Sequence, residues 1–353
     1  MKDQLIVEKV LNGERLSFEE AKGLFDLDLK LLGWLARKVR FRLNPEPIVT
    51  YVVDRNINYT NICISGCKFC AYYKSPGSPE GYVLSFEELG KKIEETIQLG
   101  GYQILLQGGL HPDLPFSFYE DMLRFIKKHY PQIHVHGFSP PEIIHFSKIS
   151  GLSVEEVLKR LISAGLDSIP GGGAEILTDR VRSILSPNKA TAEEWLLVME
   201  TAHRLGLKTT ATMMFGHIET DEEILEHLFK IRNLQNKTGG FTAFIPWTFQ
   251  PKNTKLHHLI KAGAVKYLQV LAISRIVLDN IKNIQVSWVT QGPHIAQLAL
   301  EFGGNDFGST MIEENVVAAT GVSHRLSEDQ IKAYISSMGY TPKRRKMDYT
   351  IIE

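Results

Sequence analysis

The chain has 353 residues, 43% of them hydrophobic and 23% charged, and its 40 basic side chains balance 40 acidic ones. This composition excludes disorder, and a formal net charge of zero argues against a nucleic acid or an anionic membrane as partner, since each selects a basic excess. The length suits one large α/β barrel with appendages or two ordinary domains. With no run of about 18 apolar residues and no signal-peptide pattern in the first thirty, a cytoplasmic protein acting on a small molecule is the expectation.

Residues 1–47 read as an N-terminal helical cap: Ser17 and Glu20 have the spacing of a capping box, and Leu29, Leu31, Leu32, Trp34 and Leu35 recur near the helical period. From Ile48 onward, strands are expected at 48–58, 103–107, 133–138, 166–170, 209–215, 240–247 and 284–289, with a weak eighth at 298–302. Amphipathic stretches at 85–99, 118–129, 154–164, 192–205, 221–235 and 264–281 separate most of them. Repeated βα units imply a parallel sheet. Eight strands in one cycle, without a GxGxxG fingerprint, favour a (β/α)8 TIM-type barrel over a doubly wound sheet. The barrel is expected to span 48–310, with a C-terminal extension at 311–353 packing on it. Within that extension, residues 342–353 read as a polar tail or edge strand and the basic run 343–346 as a solvated face.

The segments QGGLHPD, FSPPE, PGGGAE, FGHIET, WTFQPKN, TQGPH and GGNDFG sit just after strands. In such a barrel these loops gather at the C-terminal mouth, where catalytic groups are carried. The three cysteines, Cys63, Cys67 and Cys70, all fall in the loop after the first strand, as Cx3Cx2C. Their odd number and crowding exclude an ordinary disulfide framework. Three thiolates in one loop suit three irons of a [4Fe–4S] cube whose fourth iron has no cysteine ligand. A structural zinc completed by His111, His134 or His136, and a set of plain thiols, are the competing readings.

The cysteine loop, with Phe69 just before its last cysteine, resembles the signature of the radical S-adenosylmethionine (SAM) superfamily. The resemblance implies that the open iron is chelated by the methionine part of SAM. It places Gln107, Gly108 and Gly109 at the contact to the SAM amino group, although Leu110 follows where that superfamily usually has an acidic residue. It also sets Glu175 against the adenosyl ribose, with Ser139 a further contact. As plain structure, the glycines would make a turn and Glu175 would complement the start of a helix.

The phrases VVDRNINYTNIC, SIPGGGAEIL, SPNK, TATMMFG, TGGFTAFIPWTFQP and GGNDFGSTMIEENV are most similar to the dehypoxanthine futalosine cyclase family of menaquinone biosynthesis. Aminofutalosine synthases and FO synthases are its sisters. This resemblance implies hydrogen abstraction from ribose C4′ of dehypoxanthine futalosine by a 5′-deoxyadenosyl radical, then addition to the aryl ring and loss of a proton and an electron. It implies an electron donor such as flavodoxin or ferredoxin, and leaves the oligomeric state open. Candidate bases after the strands are His111, His217, Glu219 and Asp306, with His294. Arg180 or Arg182 suits a substrate carboxylate, and Trp247, Trp288 and His294 are candidates for the substrate pocket. A zinc-stabilised binding barrel and a non-catalytic iron–sulfur carrier are the alternatives of other classes.

Overall fold

Short strands and capped helices alternate along the computed structural model, which describes residues 2–322 and 324–352. The strands are β1 (Ile48–Val52), β2 (Asp54–Asn58), β3 (Gln103–Gln107), β4 (His134–Gly137), β5 (Ser168–Ile169), β6 (Lys208–Phe215), β7 (Phe241–Thr248), β8 (Asn283–Ile284), β9 (Asp306–Ser309) and β10 (Thr341–Arg344). Strands β2 to β8 form a curled seven-stranded parallel sheet in sequence order, and β10, β1 and β9 form a second parallel sheet. At one edge β1 runs into β2 through Val53. At the other a bridge between Gln285 and Asp306 joins the continuation of β8 to β9. The two sheets therefore close on one interior, and the parallel order follows from the helices that return the chain after each strand.

Those helices carry their own start signals. Ser85 with Glu88, Ser153 with Glu156, Thr191 with Glu194 and Thr220 with Glu223 each form a complete capping box, which satisfies two otherwise orphaned amides at about 1 kcal/mol per cap. At the N-terminus the Ser17–Glu20 box caps Phe18–Lys22, and the longer helix Leu29–Leu43 buries Leu32, Leu35, Ala36 and Val39.

Three elements differ from expectation. Residues 298–302 are not a strand: they end the helix Pro293–Glu301, whose first residue is a proline with φ preset for a helix start and whose buried residues Ala296, Ala299 and Leu300 follow helical spacing. The last barrel strand is β9 instead, four residues holding a glycine and too short to show a period. The run 284–289 leaves the sheet after Ile284 and turns into the short helix Trp288–Gln291. The FSPPE segment is the start of a helix, Pro140–Ser150, capped by Ser139.

The C-terminal segment closes the end of the barrel opposite the cysteine loop. β10 lies along β1, from Ile48 opposite Thr341 to Tyr51 opposite Arg344. The basic run 343–346 is not a solvated face throughout. Arg345 and Met347 turn inward while Lys346 and Asp348 turn out, and Arg345 forms a buried ion pair with Asp306, Nη2 to Oδ1 at 3.0 Å. Outside the barrel, Arg344 and the Tyr51 hydroxyl both donate to Glu328 at 2.7 Å, tying both strands to the helix Glu328–Ser337. Burial alone would raise the Glu328 carboxyl, but Arg344, Tyr51 and Lys332 outweigh it and hold it at about 2, against an ordinary 4.5. Because the folded value is the lower one, the stability this carboxylate contributes is complete above pH 4.5 and is lost as pH falls through about 2. Glu328→Gln should therefore flatten the acid limb of the unfolding midpoint measured against pH; an unchanged acid limb would refute this role for Glu328.

Candidate active site

Successive strand residues point to opposite faces, so every second residue of each strand looks into the barrel. Here that inward set is polar: Asp54 and Asn56 on β2, Gln103 and Gln107 on β3, His136 on β4, and Thr210 and Thr212 on β6. With Leu105, Ile245, Trp247 and Trp288 they line a cavity of ≈ 290 Å³. Gly172, Gly173 and Glu175 border its mouth, and Arg345 and Met347 lie at the other end. A buried polar wall is costly unless bonded, and much of this one is. Asp54 accepts from Gln103 Nε2 at 2.8 Å and from the Ser309 hydroxyl, and Trp288 Nε1 donates to the Ser309 carbonyl at 3.1 Å.

The cysteine loop leaves β2 and is clamped over the mouth by backbone bonds. Cys63 N donates to the Lys74 carbonyl at 2.9 Å, Ile64 N to Leu110 at 3.0 Å and Lys68 N to Leu185 at 2.8 Å. Cys63 and Cys67 are buried and Cys70 is half-buried. The Ser65 hydroxyl lies 3.0 Å from Cys63 Sγ and 3.3 Å from Cys67 Sγ, and the Leu110 amide donates to Cys63 Sγ at 3.3 Å. Donors aimed at sulfur are what ligating thiolates accept. Burial pushes the Cys67 thiol up to about 11, so a metal that bound there would have to displace its proton.

A cube gives each iron one thiolate, whereas zinc gathers its ligands on one centre. Among the described residues no three His, Cys, Asp or Glu side chains are grouped to hold a single ion. Nor do the histidines offered for zinc serve it: His134 and His136 both bond Ser168 at 2.7 Å, and His111 Nδ1 accepts the Asp113 amide at 3.1 Å.

Packing explains the glycines after β3. A Cβ on Gly108 would enter the Tyr59 ring, and one on Gly109 would lie 2.8 Å from Cys63 Cβ and closer still to the Ile62 carbonyl. Gly109→Ala should therefore push the cysteine loop outward and lower the iron bound per chain on anaerobic reconstitution; iron and sulfide content equal to the parent would refute this reading. Beneath the turn lies Glu142, buried and unremarked in the sequence. It accepts from Gly108 N at 3.0 Å, from the Tyr59 hydroxyl at 2.6 Å, and from Ser139 N and Oγ at 2.7 and 2.6 Å. Ser139 is thereby held as a helix cap, its hydroxyl committed to Glu142. Gln107 lines the cavity beside Gly172.

Glu175 adopts φ 40° at the mouth, and its carboxylate sits between Lys189 Nζ at 2.9 Å and Arg182 Nη1 at 3.5 Å. Arg182 also donates to the Ala174 carbonyl at 2.7 Å, so it braces the glycine loop. Lys189 stands 5.3 Å over the Phe69 ring, which connects the residue before Cys70 to Glu175 through one ammonium. The SPNK phrase supplies this lysine, and only the fold, by bringing it to Glu175, shows its role.

Of the other candidates, Trp247 and Trp288 line the cavity, whereas His111, His217, Glu219, Arg180 and His294 do not. His217 and Glu219 pair with each other at 2.8 Å, and His217 Nε2 bonds the Met214 carbonyl at 2.9 Å. Burial would raise Glu219, yet His217 and the Gly216 and His217 amides outweigh it and hold the carboxyl below its usual range. Arg180 is half-exposed on Glu223, and His294 is exposed on Gln297. Asp306 is buried with its acceptors taken by Arg345, by Thr50 Oγ1 at 2.6 Å and by Gly308 N at 2.9 Å, which makes it an anchor and not a free base.

Residues 57–231 match the radical SAM superfamily and residues 238–353 match the CofH/MqnC C-terminal region, and the chain belongs to the radical SAM family. Within it, the chain is 49% identical to the cyclic dehypoxanthine futalosine synthase of Halalkalibacterium halodurans over 348 residues, 98% of this chain and 94% of that one. It is 43% identical to the synthase of the same name from Streptomyces coelicolor, over 98% of this chain and 88% of the relative. It is also 43% identical to a 5-amino-6-(D-ribitylamino)uracil–L-tyrosine 4-hydroxyphenyl transferase of Methanococcus maripaludis, over 95% of each. Among solved structures, HydG, a maturase of the [FeFe]-hydrogenase, superposes with a TM-score of 0.76 at 16% identity, covering 97% of this chain and 76% of that one. Methylornithine synthase (PylB) does so at 0.73 and 18%, covering 96% and 97%. At such identities the likeness is one of fold.

Proposed function

We propose that this chain converts dehypoxanthine futalosine to its cyclic form, a radical SAM cyclase of menaquinone biosynthesis. The observation that carries the reading is the 49% identity to a cyclic dehypoxanthine futalosine synthase over 98% of the chain. Cys63, Cys67 and Cys70 would hold the [4Fe–4S] cluster, which when bound together with SAM supplies a 5′-deoxyadenosyl radical. Around it, Gln107 and Glu175 offer the polar contacts of the mouth, with Lys189 and Arg182 fixing the Glu175 carboxylate. The barrel interior receives the substrate below, with Trp247 and Trp288 as apolar wall and Asn56, Thr210 and Thr212 as hydrogen-bonding wall. An enclosed interior keeps water and stray hydrogen donors from the reacting carbon. A small one-electron carrier of the flavodoxin or ferredoxin class is the partner this chemistry asks for. No described helix is long and apolar enough to cross a membrane.

The test is anaerobic incubation of the reconstituted protein with dithionite, SAM and dehypoxanthine futalosine, read by mass spectrometry. Substrate-dependent 5′-deoxyadenosine with a product lighter by two hydrogens is expected. Turnover of 5-amino-6-(D-ribitylamino)uracil with L-tyrosine instead would move the chain to the transferase side of its relatives, and no product from either set would refute the cyclase reading.

A further inference from the structure

We propose that His136 is the base that takes the ring proton in this reaction, and that Ser168 and His134 relay it to the opposite end of the barrel. The inference rests on the cyclase reading. β4 carries His134 and His136 two residues apart, hence on one face, and the sheet register sets Ser168 of β5 opposite His136. The fully buried Ser168 hydroxyl lies 2.7 Å from His136 Nδ1 and 2.7 Å from His134 Nε2. A hydroxyl has one proton, so between two ring nitrogens it accepts from one and donates to the other. Two directions satisfy that rule, and the relay uses the one in which His136 Nδ1–H donates to Ser168 and Ser168 donates to His134 Nε2.

That tautomer leaves the lone pair on His136 Nε2. This nitrogen makes no hydrogen bond among the described residues and is not sealed from solvent, and His136 lines the cavity, so Nε2 opens onto the space assigned to substrate. His134, at the start of β4, is half-exposed at the end of the barrel away from the cysteine loop, near the Lys127–Asp167 pair. Burial depresses both imidazoles below the ordinary histidine value, so both stand neutral, and a proton taken at His136 Nε2 is passed on and not held. The post-strand candidates lack this combination of a free nitrogen, a place in the cavity and a bonded exit.

After the C4′ radical adds to the aryl ring, the ring C–H bond at the point of attack breaks. Its proton passes to His136 Nε2 as the Nδ1 proton moves to Ser168, the Ser168 proton moves to His134 Nε2, and the His134 Nδ1 proton goes to water. The electron pair of the broken bond stays in the ring, and the one electron then in excess leaves to a one-electron carrier of the iron–sulfur or flavin class.

His136→Asn tests this, because the asparagine amide can keep the bond to Ser168 while the basic nitrogen is lost. In the holoenzyme, 5′-deoxyadenosine should form as in the parent while the ratio of cyclised product to 5′-deoxyadenosine falls about 100-fold, the scale of a missing general base. An organic radical should accumulate by electron paramagnetic resonance. Ser168→Ala should lower the same ratio less. An unchanged ratio in His136→Asn, or a loss of 5′-deoxyadenosine in step with product, would overturn the assignment. Independently of turnover, nitrogen-15 histidine spectra of the full chain before cluster loading should show His136 as the Nδ1–H tautomer; the Nε2–H tautomer would overturn it as well. If the parent itself makes no cyclised product, it is the cyclase reading that fails and not the relay.

Discussion

Cys67→Ala should leave the chain folded and abolish formation of 5′-deoxyadenosine from SAM. Cys67 is 4% exposed, in the middle of the three-cysteine loop, where its sulfur meets the Ser65 hydroxyl, and it stands outside the hydrophobic core cluster of the described residues. Removing one buried sulfur atom costs on the order of 1 kcal/mol, a small part of the stability of a chain this size. For the chemistry the same atom is not replaceable: there is no fourth cysteine to take its place. Circular dichroism should match the parent, bound iron should fall, and SAM cleavage should reach the level of the cluster-free protein. A variant that still cleaves SAM at a rate near the parent's would show that Cys67 is not a cluster ligand.

The second large effect is on stability. Arg345→Met should destabilise the fold by about 3–5 kcal/mol, because it strands the carboxylate of Asp306 in a place that water does not reach. Thr50 and Gly308 still donate to that carboxylate, yet neither supplies a positive charge. The double variant Arg345→Met with Asp306→Asn should recover most of the loss, since the uncompensated charge and not the missing contact is the larger cost. Urea unfolding of the parent, both single variants and the double variant measures this directly. A single Arg345→Met variant with the parent's midpoint would mean that Asp306 is not held as an ion in the native barrel.

The barrel was legible because short strand-like runs alternate with amphipathic helical stretches along the chain, a pattern that does not depend on distant contacts. It showed β9 poorly. Asp306–Ser309 offers a single apolar residue, Phe307, in four, and it is a strand only because β1 and the end of β8 lie on either side of it. The cysteine loop was legible in its spacing, its place after the first strand and Phe69 before its last cysteine, which together carry the resemblance that favoured a cluster over zinc. The base was sought in the loops after the strands, where barrels carry catalytic residues, and most of the histidines and carboxylates found there are occupied with local partners such as the Glu219–His217 pair. The polar lining of the cavity lies within the strands themselves, as in DRNIN, QILLQ and HVHG, where inward and outward residues alternate. Its signal was there at period two, but a polar residue in a strand reads as solvent-facing until the closure of the sheet shows which side is inside. Arg345 was hidden for the same reason, since within a basic run only the pairing of β10 with β1 distinguishes the residue that turns in.

The pairing of β10 with β1 also sets an order on biosynthesis. β1 emerges from the ribosome early, yet one of its two neighbours is residues 341–344 and the other is residues 306–309. Domains that fold as they are made do so from local contacts, and contacts this distant in sequence are slow to form. A nascent chain that has laid down β2 to β8 thus holds an open sheet with an unpaired first strand, the kind of edge that recruits other chains. Until Arg345 reaches Asp306, the floor of the barrel is open, and a growing chain at that stage is a natural client for a chaperone.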